Sequence, residues 1–133
     1  MHASHELVFR FFTEPALLKR WLCVQAQTDA HPGGSYVFNV TGSHTTRGTL
    51  LVVDPGRRLV YTWLFDHVEP PLPTTVEVTF TPVGRGTRVR LRHYGFADQA
   101  THDRHAAGWA HYLPRLAAAA AGRDPGTDGW RTA

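Results

Sequence analysis

The clearest helical pattern in the chain lies near its C-terminal end, over residues 98–121. Apolar side chains recur there at spacings of four, three and four, which is the period of an α-helix with one apolar face. These residues are Trp109, Leu113, Leu116 and Ala120, with Tyr112 beside them. A run of alanines then favours helix as far as Gly122, a natural stop. The pattern predicts one long helix with Asp98 or Thr101 as its N-cap.

Between residues 35 and 96 the pattern changes to short strands separated by turns. Five segments alternate apolar and polar residues with period two: 36–41, 47–53, 58–65, 74–81 and 87–96. Residues 24–30 are either irregular or a weak strand, and the proline-rich segment 66–73 is expected to be a loop. The alternation predicts an antiparallel sheet with one buried face and one face in water.

Two short helices are predicted ahead of the strands. Ser4 is placed to cap the first, and Thr13 is placed to cap the second, which has Pro15 in its first turn. A long helix that follows a run of antiparallel strands can bury its apolar stripe only across one face of the sheet. We therefore expect an α+β fold.

Composition and charge describe one globular domain, which we place at residues 1–122, followed by a flexible tail at 123–133. The net charge is +3, but Arg88, Arg90 and Arg92 alternate along one strand as a solvated face, so we expect no nucleic-acid partner. No segment resembles a membrane span or a secretion signal, and no membrane association is expected. The single cysteine, Cys23, excludes an internal disulfide and indicates a reducing compartment, here taken as cytoplasmic.

Several local sequences, taken in order along the chain, resemble one known superfamily. They are Val8-Phe9, Thr13-Glu14-Pro15, Gly33-Gly34, Asp54-Pro55, Thr62-Trp63, Gly86-Thr87-Arg88, Gly95-Phe96 and Gly108-Trp109. Together they resemble the START-like, Bet v 1-like (SRPBCC) helix-grip superfamily. Within it, the chain is most similar to the branch named after the C-terminal domain of the activator of Hsp90 ATPase. The resemblance covers residues 4–121.

The resemblance implies a curved antiparallel sheet wrapped around the long C-terminal helix, with the two short N-terminal helices closing one end. It also implies a cavity between helix and sheet that holds an apolar or aromatic small molecule. Relatives begin with a strand of several residues, whereas only residues 1–3 precede the first helix here. Either the natural chain starts upstream of Met1, or the first edge strand is truncated. An exposed edge would invite pairing, so both a monomer and a homodimer stay open.

His93 is the titratable residue of greatest interest, because its strand places it beside Val89 and Leu91 on the face toward the long helix. It is a neutral core histidine bonded to a hydroxyl such as Tyr61 or Tyr112, the polar anchor of a pocket, or a general acid or base. No other residue is a catalytic candidate. The remaining expected ligand-binding residues are apolar or aromatic: Phe38, Tyr61, Trp63, Phe80, Leu91, Trp109, Tyr112 and Leu113.

Three functions are compatible with these features. The leading interpretation is a binding protein for an apolar or aromatic small molecule, with no cofactor, and the sequence favours no enzyme activity without deciding whether a reaction is catalysed. The alternatives are a polyketide cyclase/dehydrase-like enzyme, in which His93 moves protons, and an interaction module for an Hsp90-type chaperone. No metal site is expected, because His102, His105 and His111 would need further ligands converging from the sheet.

Overall fold

The computed structural model describes residues 1–68 and 71–130. The elements in chain order are α1 (His5–Thr13), α2 (Pro15–Leu18), β1 (Gln25–Thr28), β2 (Ser35–Asn39), β3 (Thr45–Asp54), β4 (Arg58–Phe65), β5 (Thr74–Val83), β6 (Gly86–Tyr94) and α3 (Gln99–Ala120). The six strands form one antiparallel sheet in chain order, and each strand pairs with the next. The curved sheet, the long C-terminal helix and the two short N-terminal helices confirm the expected α+β helix-grip fold.

The two longer helices begin at capping side chains that the sequence predicts. Ser4 Oγ accepts a hydrogen bond from Leu7 N (3.2 Å), and Asp98 Oδ1 accepts one from Thr101 N (2.7 Å). Helix α3 is continuous from Gln99 to Ala120, although Pro114 lies inside it. None of the helices in the described residues has the length and apolar character that crossing a membrane requires.

The predicted cap of α2 was wrong by one residue. Its N-cap is Glu14, while Thr13 is the last residue of α1, where the Thr13 hydroxyl donates to Phe9 O (3.3 Å). The cause is Pro15, which disfavours helical backbone in the residue before it. Glu14 is accordingly extended, with φ −104° and ψ 125°, and this conformation ends one helix and starts the next.

Period-two patterning located five of the six strands, and β1 is the strand that it left open. β1 pairs with β2 so that Ala26 lies opposite Phe38. The strand has only four residues, most of them polar, so alternation alone could not distinguish it from a loop. Within the loop predicted at 66–73, residues 69 and 70 lie outside the described residues.

Residues 1–3 lie against β6 without forming a strand of their own. The amino group of Met1 donates to Thr87 O (2.7 Å), and Thr87 N donates to Met1 O (2.9 Å). The Thr87 hydroxyl also donates to Ala3 O (2.8 Å). Among the described residues no further strand pairs with β6. A start upstream of Met1 stays a prediction, as does the oligomeric state.

Aromatic rings fill one end of the space between α3 and the sheet. Phe12 meets Trp21 and Phe80 edge to face, with ring centroids 5.1 and 5.5 Å apart. Trp21 is fully buried, and its Nε1–H donates to Phe11 O (2.9 Å). From α3, Arg115 Nε donates to Trp21 O (3.2 Å). We call Phe11, Phe12, Trp21 and Phe80 the packed end.

Candidate functional site

A cavity of about 650 Å³ lies between α3 and the sheet, and it is open to solvent along one side. This volume falls within the range of sites that hold small organic molecules. None of the packed-end residues lines it. Much of the wall is aromatic and comes from β4, α3 and the tail: Trp63, Phe65, Trp109, Tyr112 and Trp130.

Trp63 on β4 is the wall residue with an unused donor. The residue is 4% exposed, and the rings of Phe65 and Trp109 lie 5.1 and 5.2 Å from its own. Its Nε1–H is the only buried side-chain polar atom without a hydrogen-bond partner among the described residues. The residue lines the cavity, although the Nε1 atom itself is buried, and a buried donor left unpaired costs about 1–3 kcal/mol.

His93 on β6 has both ring nitrogens occupied by neighbouring side chains. The Thr74 hydroxyl donates to Trp63 O (3.0 Å), so its oxygen accepts from His93 Nε2–H (2.6 Å). His93 Nδ1 accepts from Trp109 Nε1–H (3.0 Å). Burial and the neighbouring histidines lower the pKa of His93 to about 3, which keeps the ring neutral. His93 therefore holds Trp109 in place and has no free nitrogen for a ligand.

His105 on α3 has the free nitrogen that His93 lacks, and sequence reasoning missed it. Its Nδ1–H donates to Thr101 O one turn earlier (2.9 Å), which leaves the lone pair on Nε2. Nε2 has no partner within the described part of the chain, and the residue lines the cavity. Burial lowers the pKa of His105 and keeps the ring neutral. Its spacing of four residues from Trp109 was the available signal.

Gly108 lies in the α3 wall of the cavity, where packing does not require a glycine. A Cβ built at Gly108 would meet no atom within 4 Å. Glycine inside a helix costs about 1 kcal/mol relative to alanine, so a glycine here lowers the stability of α3. Its effect is to keep open the space that a side chain would enter.

The described part of the tail packs along the rim of the cavity. Asp128 is 2% exposed and accepts hydrogen bonds from the Tyr112 hydroxyl and from His111 Nε2–H, each at 2.7 Å. It also accepts one from Trp130 N (3.0 Å), and the Trp130 ring stacks on His111 and joins the cavity wall. Burial alone would raise the pKa of Asp128, but these hydrogen bonds outweigh it and lower the pKa.

The structure brings three of the expected ligand-binding residues to the cavity. Those that line it are Trp63, Trp109 and Tyr112. Those buried in the core outside its wall are Phe38, Tyr61 and Phe80. Those that are partly buried and also outside its wall are Leu91, His93 and Leu113. Which of them touch a ligand stays a prediction.

The structure also bears on two other expectations, the role of His93 and the flexibility of the tail. Of the three roles considered for His93, the geometry favours the neutral histidine bonded to a hydroxyl, which comes from Thr74 and not from Tyr61 or Tyr112. Nothing in the tail sequence indicated that Asp128 would be buried. The flexibility of residues 123–133 and the boundary at 122 stay predictions, and residues 131–133 lie outside the described residues.

Comparison with known proteins connects this architecture to a family. The family model for activator of Hsp90 ATPase homologue 1-like proteins matches residues 2–121. The chain belongs to this family. The match covers most of the chain and confirms the resemblance that the local sequences indicated. The match includes β4 and α3, which contribute to the cavity wall, while Trp130 in the tail lies beyond it.

Solved structures show the same AHSA1-like fold. The solution structure of the AHSA1-like protein of Rhizobium etli is 39% identical, with a TM-score of 0.76, and the match covers 98% of this chain and 82% of that one. A Chromobacterium violaceum protein is 29% identical, with a TM-score of 0.78 and coverages of 91% and 92%. A protein of the dynemicin biosynthetic locus is 21% identical, with a TM-score of 0.82 over 96% of this chain and 47% of that one, and shows the fold alone. No curated protein sequence matches this chain.

Proposed function

We propose that this AHSA1-like protein binds an aromatic small molecule that carries a hydrogen-bond acceptor such as a carbonyl group. The unpartnered Trp63 Nε1–H beside the 650 Å³ cavity is the observation that carries the proposal. The donor atom is itself buried, so a ligand oxygen would reach it after the Trp63 ring turns toward the cavity, and would then make the hydrogen bond that the described part of the chain does not make. An analogue without the oxygen would leave the donor unpaired, so the site discriminates between the two.

The rest of the wall supports the same class of ligand. The rings of Phe65 and Trp109 offer apolar faces to an aromatic body. His105 Nε2 can accept a hydrogen bond from a hydroxyl on the same molecule, and Gly108 leaves room for it beside α3. The ligand is therefore expected to be a largely flat, apolar compound with one carbonyl and at least one hydroxyl group.

The test compares 2-acetylnaphthalene with 2-ethylnaphthalene, a ketone and a hydrocarbon of nearly the same shape. By calorimetric titration, the wild-type protein should bind the ketone about tenfold more tightly, the effect of one recovered hydrogen bond. Trp63→Phe should bind both compounds alike, whereas Trp130→Phe, which changes an exposed rim indole, should keep the preference. Equal affinity of the wild type for the two compounds, or no binding of either, would contradict the proposal.

A polyketide cyclase/dehydrase-like enzyme is the second candidate, and His105 is the observation that favours it. A neutral imidazole with a free Nε2 in a cavity wall can accept a proton from a bound substrate. In that case a poly-β-keto substrate should turn over, and His105→Gln should lower the rate by about a hundredfold or more. His93→Gln should have a smaller effect, since both nitrogens of His93 are engaged. Ketone binding without turnover would favour the binding protein.

A further inference from the structure

Three side chains of metal-binding type meet at the mouth of the cavity, outside the set of residues used above. His44 comes from the turn between β2 and β3, and Asp66 and His67 directly follow β4. The antiparallel pairing of β3 with β4 brings them together, because Asp66 N donates to Thr45 O (2.9 Å). No local spacing motif marks this cluster, since His44 lies 22 residues before the adjacent pair Asp66 and His67.

The distances within the cluster match those between the ligands of one metal ion. His44 Nδ1 and His67 Nδ1 each lie 3.4 Å from Asp66 Oδ1, and the three donor atoms all lie within 4.8 Å of one another. A distance of 3.4 Å is long for a hydrogen bond between charged or polar groups. Two ligand atoms that are each about 2.1 Å from a tetrahedral ion lie about 3.4 Å apart.

Backbone contacts hold the cluster in this arrangement. Thr45 N donates to Asp66 Oδ2 (3.1 Å), which leaves Oδ1 turned to the two imidazoles. The backbone of His44 is fixed in turn, because its N–H donates to Thr41 Oγ1 (3.1 Å). The His44 and His67 rings lie side by side with centroids 3.8 Å apart. Outer-shell hydrogen bonds of this kind orient ligands in metal sites.

We propose that His44, Asp66 and His67 bind one divalent transition-metal ion of the zinc class. Two imidazoles and one carboxylate are a common ligand set for such ions, and a fourth position is left for water. His44 and His67 also line the cavity, so that open position lies at its mouth. Metal binding here does not depend on the proposed ligand, and either proposal stands if the other fails.

The test is calorimetric titration of the tag-free, chelator-treated full chain with zinc chloride, supported by visible absorption spectra with cobalt. One ion should bind per chain, with the intense cobalt bands of a tetrahedral site. His44→Ala and His67→Ala should each weaken binding by about tenfold or more. His31→Ala is the matched control, because His31 also pairs with an aspartate but has no second histidine beside it.

Two results would overturn the proposal. One is a wild-type protein that binds no stoichiometric zinc at neutral pH. The other is a His44→Ala/His67→Ala double variant that binds zinc as tightly as the wild type, which would assign the binding to other histidines. Thermal unfolding of the metal-free variants checks that they fold. The two side chains are 39% and 48% exposed, and His67 touches the core at the partly buried Phe65, so the unfolding temperatures should stay close to the wild type.

Discussion

Trp21 and Trp63 are both buried, yet the chain treats their indole groups differently. Trp21 in the packed end donates its N–H to Phe11 O at 2.9 Å. Trp63 in the cavity wall donates to nothing in the described part of the chain, although it is 4% exposed. The packed end is complete in itself, because its rings fill the space and its donor is satisfied. The cavity end has open space and a buried donor that the described part of the chain leaves unpaired.

The cavity wall is nevertheless held rigidly. A directed series of hydrogen bonds runs from Trp109 Nε1–H to His93, from His93 Nε2–H to Thr74, and from the Thr74 hydroxyl to Trp63 O. This series fixes the Trp109 indole and ties it, through His93 and Thr74, to the backbone of Trp63, and it leaves the Trp63 indole N–H unpaired. A wall fixed before binding loses less conformational entropy on binding, which favours affinity.

Truncation of Trp21 in the packed end and of Trp130 at the cavity rim should give the largest difference in the free energy of unfolding. Trp21→Ala removes a fully buried ring and should lower the free energy of unfolding by about 3–5 kcal/mol. Trp130→Ala removes a rim indole that is 41% exposed and stacks on His111 at the surface, and it should cost about 1 kcal/mol. Urea unfolding followed by circular dichroism measures both. Similar losses for the two variants would show that the rim is packed like the core.

Acid should weaken the fold through His93. Its folded pKa of about 3 lies below the unfolded value near 6.5, so the unfolded chain binds the extra proton. Stability due to neutral His93 is therefore present above pH 6.5 and is lost as the pH falls toward 3. One proton can change the free energy of unfolding by at most about 1.4 kcal/mol per pH unit. Because the ring is partly exposed, we expect a slope of about 1 kcal/mol per pH unit.

His93→Gln isolates this contribution, because an amide can donate to Thr74 and accept from Trp109 without titrating. The slope of unfolding free energy against pH, between pH 6 and 4, should be about 1 kcal/mol per unit shallower in the variant. His105 and the carboxylates with lowered pKa still titrate in both proteins. Parallel slopes would mean that His93 is protonated in the folded state.

Asp128→Ala should loosen the rim of the cavity without unfolding the domain. The substitution removes the acceptor of the Tyr112 hydroxyl, His111 and Trp130 N, which should cost about 1–2 kcal/mol locally. Trypsin should then cleave after Arg123 about tenfold faster, as followed by mass spectrometry. Thr127→Ala is the control, because Thr127 is an exposed tail residue that does not adjoin the bond cleaved after Arg123. Equal cleavage rates in the two variants would show that the Asp128 contacts do not hold the tail.

Trp63→Phe should have the smallest effect on stability, and its sign is informative. The substitution removes a buried donor that has no partner, so the free energy of unfolding should stay unchanged or rise by up to about 1 kcal/mol. Trp21→Phe removes a donor that is satisfied and should lower it by about 1–3 kcal/mol. Urea unfolding of the two variants side by side gives the comparison. A loss at Trp63 as large as that at Trp21 would indicate that the Trp63 N–H has a partner within the protein.

Most of the fold could be predicted from the sequence because its elements depend on local patterns. Alternation placed β4 and β6, the apolar stripe placed α3, and Ser4 and Asp98 were recognisable as caps. β1 has too few apolar residues to alternate, and the cap of α2 depended on the conformation that Pro15 imposes on its neighbour. These failures are local and left the topology unchanged.

The site was less predictable, because it depends on where α3 crosses the curved sheet. Tyr61 and Trp63 share one face of β4 two residues apart, yet one lies in the core and the other lines the cavity. The free nitrogen of His105 depends on a backbone carbonyl that takes up the other one. His44 and His67 become neighbours only through strand pairing. Alternation and spacing carry none of this three-dimensional information.

Native mass spectrometry of wild-type protein and Gly108→Leu, both purified without denaturation from the natural host, tests most directly whether the cavity holds a molecule. The Gly108→Leu variant should fold normally, because nothing lies within 4 Å of a Cβ at this position and leucine raises the helix propensity of α3. Its side chain should fill part of the cavity that Trp63 also lines. Ala107→Leu adds the same side chain to the exposed face as a control. If the cavity holds a ligand, a bound small molecule should be found in the wild type and in Ala107→Leu, and none in Gly108→Leu. A folded Gly108→Leu that retains the same molecule, or a wild type that carries none and binds neither naphthalene probe, would contradict it.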